Sequence, residues 1–191
     1  MFGKRFAHAA AATAAMVLLG GALASAAPRT PAHLLTSGRP AAARTYKVAA
    51  DILTGAMDHK NAPEYKPGNF TLPANALVTM TIKSYDDGPA PATGYTKIEG
   101  VVGGHIRVNG KSVKSVKAND ITHTFTVTAL GLNVPIPAAP KGGSVTVSFQ
   151  FRTGKAGTYT WQCYALCGNG DGGWGYPMTT SAMMRGTVKV G

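Results

Sequence analysis

The chain has few cysteines and few acidic residues, and it lacks internal repeats and any long amphipathic helix pattern. Two cysteines among 191 residues allow one internal disulfide at most. Asp171 has no further carboxylates nearby in the sequence, which argues against a calcium site there, because Ca²⁺ needs several oxygen ligands. No basic run is interleaved with aromatic residues, so nucleic acid is not an expected partner. No stretch after the N-terminal segment is apolar enough to span a membrane.

The first 26 residues have the pattern of an export signal. Lys4 and Arg5 supply positive charge, an apolar run extends from Ala9 to Ala24, and the sequence ALASAA offers small residues to a signal peptidase. We predict cleavage near Ala27 and an extracytoplasmic protein that is secreted, periplasmic or associated with the cell envelope. The alternative is an uncleaved anchor, for which the run is short and rich in alanine.

The rest of the chain divides into a leader and one domain. Residues 27–44 mix Pro, Ala, Gly and Arg without a period and are expected to form a flexible leader, so the folded domain is predicted to span residues 45–191. Loss of Lys4 and Arg5 with the signal lowers the formal charge from +11 to +9. This sign favours an acidic redox protein, an anionic membrane or the envelope surface as partner, although a basic surface also serves solubility.

Short β-rich segments separated by Pro, Gly and Asn fill the predicted domain. In SVTVSFQF, apolar residues from Val145 to Phe151 alternate with Ser, Thr and Gln, as in a strand with one buried face. In ITHTFTV, the same period places His123 in line with core residues. Similar segments are TYKVAADI, ALVTMTIKSY, GHIRV, GTYTWQC and RGTVKV, and VNGK carries an Asn-Gly hairpin turn. The pattern predicts an all-β fold, an antiparallel Greek-key β-sandwich.

The two cysteines, Cys163 and Cys167, have three residues between them and are followed by a glycine-rich run and Met178. Such a short span closes a disulfide only in a tight turn, because the two Cα atoms must lie about 4.4–6.8 Å apart. Cysteines outside the cytoplasm often pair, so a disulfide stays an alternative to metal ligation. Together with His123 and Met178, the two cysteines form a set of imidazole, thioether and thiolate donors. Copper selects this set of ligands.

Two segments resemble one protein family. NDITHTFTVTALGLNVPIP, residues 119–137, is similar to the segment with the first copper-binding histidine in cytochrome oxidase subunit II, and GTYTWQCYALCG, residues 157–168, is similar to the cysteine loop of that family. Together they look like a cupredoxin domain of the dinuclear copper A type, which nitrous-oxide reductase also has. The resemblance implies an imidazole ligand, two thiolates that bridge two coppers, a weak thioether ligand and a backbone carbonyl ligand. These would be His123, Cys163 and Cys167, Met178 and Ala165, respectively.

The chain departs from that family after the second cysteine. Asp171 stands where the family has its second histidine, and Trp174 where it has its methionine. No histidine follows His123 in the sequence. Thioether ligands in place of the histidine would favour Cu(I), a state suited to copper storage or delivery. Candidate substitutes for the missing ligand are His105, Asp171, Met183 and Met184.

We therefore expect an exported protein that binds one or two coppers, acts in electron transfer or copper handling, and is not an enzyme. A redox protein or a copper chaperone would be its partner. Two alternatives remain: a metal-free β-sandwich with a Cys163–Cys167 disulfide and a binding or structural role, and a Cu(I) carrier for oxidase assembly. A cysteine nucleophile activated by His123 is disfavoured, since no orienting residue or oxyanion motif accompanies it.

Overall fold

The computed structural model describes residues 45–60, 62–90, 94–168, 175–180 and 183–191. The predicted signal peptide (1–26) and leader (27–44) lie outside the described residues. Within them the chain forms eleven strands and two short helices, in the order β1 (Thr45–Leu53), α1 (Gly55–Asp58), β2 (Glu64–Lys66), β3 (Phe70–Leu72), β4 (Leu77–Ser84), β5 (Ile106–Val108), β6 (Lys111–Val113), β7 (Ile121–Val127), β8 (Leu132–Pro137), β9 (Val145–Arg152), β10 (Gly157–Gln162), α2 (Tyr176–Thr179) and β11 (Arg185–Val190). Neither helix is long and apolar enough to cross a membrane.

The strands form two sheets. The six-stranded sheet has the order β2-β1-β4-β9-β5-β6, and the five-stranded sheet has the order β3-β11-β10-β7-β8. Apolar side chains from both sheets join in one buried cluster, as two packed layers require. The predicted all-β sandwich is therefore confirmed.

Not every strand pair is antiparallel. Strand β1 pairs with β4 in parallel, with Val48 opposite Met80, and β11 pairs with β3 in parallel, with Val188 opposite Phe70. The alternation of apolar and polar residues specifies which face of a strand is buried and carries no information on strand direction. The remaining pairs are antiparallel.

All seven predicted segments contain a strand, and the VNGK hairpin is confirmed. Val108 pairs with Lys111, and both turn residues between them, Asn109 and Gly110, have positive φ, as this tight hairpin turn requires. Four strands were not predicted: β2, β3 and β6, which have three residues each, and β8. Strand β8 contains Pro135 and lies at the edge of its sheet. A proline is tolerated there, because its missing N–H removes no hydrogen bond inside the sheet.

An aromatic cluster fills the core between the sheets close to the two cysteines. The rings of Tyr65 and Trp161 have centroids 4.4 Å apart, and Trp161 stacks on Phe125 at 5.5 Å. Trp161 is fully buried, and its indole N–H donates to the carbonyl of Gly68 at 2.7 Å. This packing fixes the end of β10, which leads directly into the cysteine loop.

Candidate metal centre

His123 lies in the middle of β7, a strand that is buried along its whole length. Its side chain has no solvent exposure, as the sequence predicted, and a β-bulge between Ile121 and His123 interrupts the pairing of β7 with β8. The ring Nε2 lies 3.1 Å from Oδ2 of Asp86, which follows β4 in the other sheet. The Asp86 side chain is 23% exposed, so it links the buried imidazole to the surface.

The cysteine loop begins where β10 ends and is held by backbone hydrogen bonds. The N–H of Cys163 donates to the carbonyl of Met184 at 2.9 Å, and the N–H of Cys167 donates to the carbonyl of Ala165 at 2.7 Å. The backbone N–H of Thr124, next to His123, donates to Sγ of Cys163 at 3.3 Å. Strand β7 therefore positions both the imidazole and the first sulfur.

The three predicted ligands converge. Among the described residues, His123, Cys163 and Cys167 form the group of buried ligand-type side chains whose ligand atoms all lie within 4.8 Å of one another. The two Sγ atoms are 3.5 Å apart, well beyond the S–S bond length of about 2.05 Å, and both cysteines are free. The alternative of a Cys163–Cys167 disulfide is not what the structure shows.

The protonation of these groups follows from their contacts. Burial lowers the pKa of His123, but the hydrogen bond to Asp86 and the neighbouring Cys163 outweigh it and raise the pKa to about 9. Burial raises the pKa of the Cys163 thiol, but the hydrogen bond from Cys167 and the nearby ring of His123 bring it well below its usual range. The hydrogen bond to Cys163, together with burial, raises the pKa of Cys167.

The donor atoms fit a soft metal ion. Asp86 occupies Nε2 of His123, while Nδ1 is buried and has no hydrogen-bond partner among the described residues. A buried ring nitrogen without a partner is costly, so a ligand at Nδ1 explains the arrangement better than packing alone. One imidazole and two sulfurs suit copper, and the carboxylate on the far nitrogen orients the ring, as is common for metal-bound histidine.

Two further predicted ligands lie in the same buried region. The carbonyl oxygen of Ala165 is 3.6 Å from Sγ of Cys163, so it faces the sulfurs. Met178, on α2, is 8% exposed and belongs to the same hydrophobic cluster as both cysteines. Helix α2 approaches the loop closely, because a Cβ at Gly168 would lie 2.7 Å from Cγ of Pro177.

Of the candidate substitutes for the second histidine, His105 lies elsewhere, Met184 adjoins Cys163 through its backbone, and Asp171 falls outside the described residues. His105 precedes β5 in the six-stranded sheet, and its Nδ1 lies 3.0 Å from the carbonyl of Gly103, outside the His-Cys-Cys group. Met184 is fully buried and Met183 is partly buried, just before β11. Asp171 and Trp174 fall outside the described residues.

Asp86 and Thr124 are site residues that the sequence did not reveal. Asp86 belongs to the Asp-Asp pair that follows β4, in a chain with only eight acidic residues. The scarcity of acidic residues could have drawn attention to Asp86. Its contact with His123, however, depends on the packing of two sheets. Thr124 acts through its backbone, which has no sequence signature.

No protein-family model and no curated protein sequence matches the chain. Among solved structures, it is similar to rusticyanin from Thiobacillus ferrooxidans, a copper protein, with 16% identity, 78% of this chain and 79% of that chain covered, and a TM-score of 0.42. It is also similar to auracyanin A, a "blue" copper protein from Chloroflexus aurantiacus, with 16% identity, 78% of this chain and 100% of that chain covered, and a TM-score of 0.36.

Proposed function

We propose that this chain is an exported copper-binding protein of the electron-transfer type, with His123, Cys163 and Cys167 as its copper ligands. The observation that carries the proposal is the convergence of these three buried side chains within 4.8 Å, with Nδ1 of His123 left unpartnered among the described residues. Imidazole and thiolate together bind copper in both of its common oxidation states.

Rigidity of the ligands supports electron transfer. His123 lies within a strand, and Cys163 directly follows one and accepts a hydrogen bond from the backbone of Thr124. Ligands fixed by strands and by a supporting hydrogen-bond shell move little when the charge of the metal changes. The burial of all three side chains also excludes water from the metal.

A second candidate function is Cu(I) delivery. Two sulfurs to one imidazole is a soft donor set, which favours Cu(I) over Cu(II). A carrier of this kind would stay colourless when loaded, whereas an electron-transfer site would show intense thiolate-to-copper absorption and an EPR signal in its oxidised form.

Metal analysis tests the proposal. We expect one or two coppers per chain in the purified protein, a number that also separates a mononuclear from a dinuclear site. His123→Ala should lose stoichiometric copper, because it removes the sole imidazole of the group. His105→Ala is the matched control and should keep the copper. Equal copper content in both variants would contradict the assignment of His123.

Met178 is proposed as a weak thioether ligand, and the Ala165 carbonyl as a further oxygen donor. Met178→Leu should preserve the fold, since exchanging these two side chains in a core usually costs less than about 1.5 kcal/mol. It should weaken Cu(I) binding, whereas Met80→Leu, at a fully buried methionine within β4, should not. Equal Cu(I) affinities in the two variants would remove Met178 from the ligand set.

The extracytoplasmic location and the partner are also proposals. They rest on the signal pattern of residues 1–26 and on the basic balance of the chain, which favours an acidic redox protein, a copper chaperone or an anionic envelope surface. N-terminal sequencing of the protein from its native source should begin near Ala27. An intact Met1 would contradict cleavage.

A further inference from the structure

A cleft lies on the outer face of the six-stranded sheet, whereas the cysteine loop belongs to the other sheet. Its volume is about 290 Å³, near the lower end of the range for ligand pockets. Its lining includes Val102, His105, Arg107, Ser148 and Gln150. Ser148 and Gln150 alternate along β9 with buried apolar residues, so they project outward from the sheet. The floor of the cleft is therefore the polar face of a core strand.

One wall of the cleft is a short turn, Val102–Gly104, just before β5. Gly103 and Gly104 both have positive φ, and a Cβ at Gly103 would lie 3.0 Å from Cε1 of His105, so the turn packs against this ring. Nδ1 of His105 lies 3.0 Å from the carbonyl oxygen of Gly103, a contact that places a hydrogen on Nδ1. In the neutral ring, Nε2 is then a hydrogen-bond acceptor.

Arg107 gives the cleft its positive charge. It lies on β5 opposite Ser148 of β9, and its Nη1 donates to the carbonyl of Gly110 at 3.1 Å. A guanidinium has several N–H donors, and this contact uses one of them while it holds the side chain in place. Among the described residues, the lining holds this one cation and no carboxylate. A guanidinium fork matches a carboxylate through two parallel hydrogen bonds, so the cleft suits an acidic ligand.

The neutral side chains of the cleft select further among acidic ligands. Nε2 of Gln150 donates to Oγ1 of Thr79 at 3.0 Å, which orients the amide, and its Oε1 is an acceptor. Oε1 of Gln150 and Nε2 of His105 both need a ligand that donates, and the hydroxyl of Ser148 can donate or accept. A fully ionised phosphate donates no hydrogen bond. A ligand with a carboxylate and several hydroxyl groups satisfies the whole set.

We propose that this cleft binds a uronic acid residue of an acidic polysaccharide, with the sugar carboxylate on Arg107 and the sugar hydroxyls on His105, Ser148 and Gln150. The site does not depend on the proposed metal centre. Only the source of the polysaccharide, the cell envelope, rests on the proposed export.

A second cation on the same face favours a polymer over a free sugar. Lys47 is exposed on β1 and pairs with Thr79 of β4, which in turn pairs with Gln150. Strands β1 and β5 are three strand spacings apart in the sheet, or about 15 Å. A chain of several acidic sugars spans this distance and contacts Lys47 and Arg107 together, whereas a single sugar cannot.

Calorimetric titration of the purified protein with hexagalacturonate tests the proposal. We expect saturable binding, and an affinity at least about tenfold lower for free galacturonate, which makes a single contact. The methyl ester of hexagalacturonate keeps the hydroxyls, lacks the charge, and should also bind at least about tenfold more weakly. Polyphosphate and phosphatidylglycerol vesicles present negative charge without a uronic acid. Equal or tighter binding of the ester, of polyphosphate or of the vesicles would overturn the proposal.

Arg107→Gln should weaken the binding of hexagalacturonate about tenfold or more, because it removes a charge-assisted pair of hydrogen bonds. Arg107→Lys should recover only part of this loss, since an ammonium group lacks the planar fork. The matched control is Lys189→Gln, which removes the same charge from an exposed position on β11 in the other sheet and should bind like the parent. Equal affinities of Arg107→Gln and Lys189→Gln, or full recovery in Arg107→Lys, would overturn the site.

Two histidine variants separate this proposal from the proposed metal centre. His105→Ala should weaken the binding of hexagalacturonate about fivefold, by loss of one hydrogen bond, and should keep its copper. His123→Ala should lose copper and bind hexagalacturonate like the parent. If no variant and no parent protein binds copper, the metal centre fails and the cleft stands. If His105→Ala binds hexagalacturonate like the parent, the hydroxyl contacts assigned to the cleft are refuted and the metal centre is unaffected.

Discussion

The imidazole of His123 depends on one carboxylate for its orientation. Asp86 contacts Nε2 at 3.1 Å and leaves Nδ1 for a metal. Asp86→Asn keeps the shape of the side chain but removes its charge, and loss of such a partner typically lowers metal affinity about 10–100-fold. We expect a decrease of this size in Cu(I) affinity, measured by competition with a chromogenic chelator. Asp87→Asn, at the exposed neighbouring residue, is the control and should bind Cu(I) like the parent.

Glu64 is a buried carboxylate whose ionisation should affect stability. Its side chain is 1% exposed and contacts the ammonium groups of Lys60 and Lys66. Burial raises the pKa of Glu64, but hydrogen bonds from the two lysines outweigh it, so the pKa lies below its ordinary value of 4.5. The ionised form therefore stabilises the fold above pH 4.5, and this contribution is lost as the pH falls through the lower pKa of the folded state.

Glu64→Gln should lower the free energy of unfolding by about 1 kcal/mol at pH 7, a modest value because both lysines are about half exposed and solvent screens the pairs. The difference from the parent should shrink as the solution is acidified below pH 4.5. Urea denaturation across this pH range measures it. Glu99→Gln, at an exposed glutamate, serves as control, and a difference independent of pH would show that Glu64 stabilises by packing alone.

Strand β11 packs closely against Trp161 of β10 and against Gly68, between β2 and β3, at a glycine. A Cβ at Gly186 would lie 1.8 Å from the carbonyl oxygen of Gly68 and 2.6 Å from Nε1 of Trp161. Gly186→Ala must therefore move β11 away from the backbone at Gly68 and break the hydrogen bond from Trp161 to Gly68. We expect a loss of about 3 kcal/mol in the free energy of unfolding, from overpacking and from an unpaired indole N–H.

Urea denaturation followed by tryptophan fluorescence measures this loss. The matched control is Gly191→Ala, where an added Cβ meets nothing within 4 Å. Equal stability of the two variants would mean that the backbone at Gly68 moves aside without lowering the free energy of unfolding.

Alternation in the sequence predicted the strands that build the core because burial of one face enforces a period of two. It predicted the burial of His123 correctly, although every residue of β7 is buried, so burial there is not confined to one face. Three-residue strands such as β2 are too short to show a period, and β8 was obscured by its prolines. The parallel pairing of β1 with β4 depends on long connections, which leave no local pattern.

Part of the candidate site could be predicted from the sequence, because its proposed ligands are rare residue types at a recognisable spacing. Cys163 and Cys167 are the only cysteines, and His123 is the last histidine in the chain. The contact of Asp86 with His123 was not predictable, since it joins segments far apart in sequence. Only the packing of the two sheets brings them together.

At the scale of the whole molecule, the proposed metal centre joins the two sheets. His123 and Cys163 come from β7 and the end of β10 in the five-stranded sheet, whereas Asp86 follows β4 in the six-stranded sheet. A metal bound at this junction would favour the packed sandwich, because the unfolded chain keeps Cys163 and Cys167 close in sequence but does not hold His123 beside them. Metal binding and the stability of the fold are therefore coupled.

Copper should accordingly stabilise the whole domain. At a free Cu(I) concentration a thousandfold above the dissociation constant, linkage predicts a gain of about 4 kcal/mol in the free energy of unfolding. Binding of Cu(I) to the thiols of the unfolded chain would reduce this gain in stability. The test therefore compares the thermal midpoints of variants at the same buffered Cu(I) concentration. The parent and His105→Ala should show the same rise in thermal midpoint, and His123→Ala should show a much smaller one. An equal rise in all three would mean that the sulfurs alone bind the metal and that the imidazole from β7 contributes nothing to the junction.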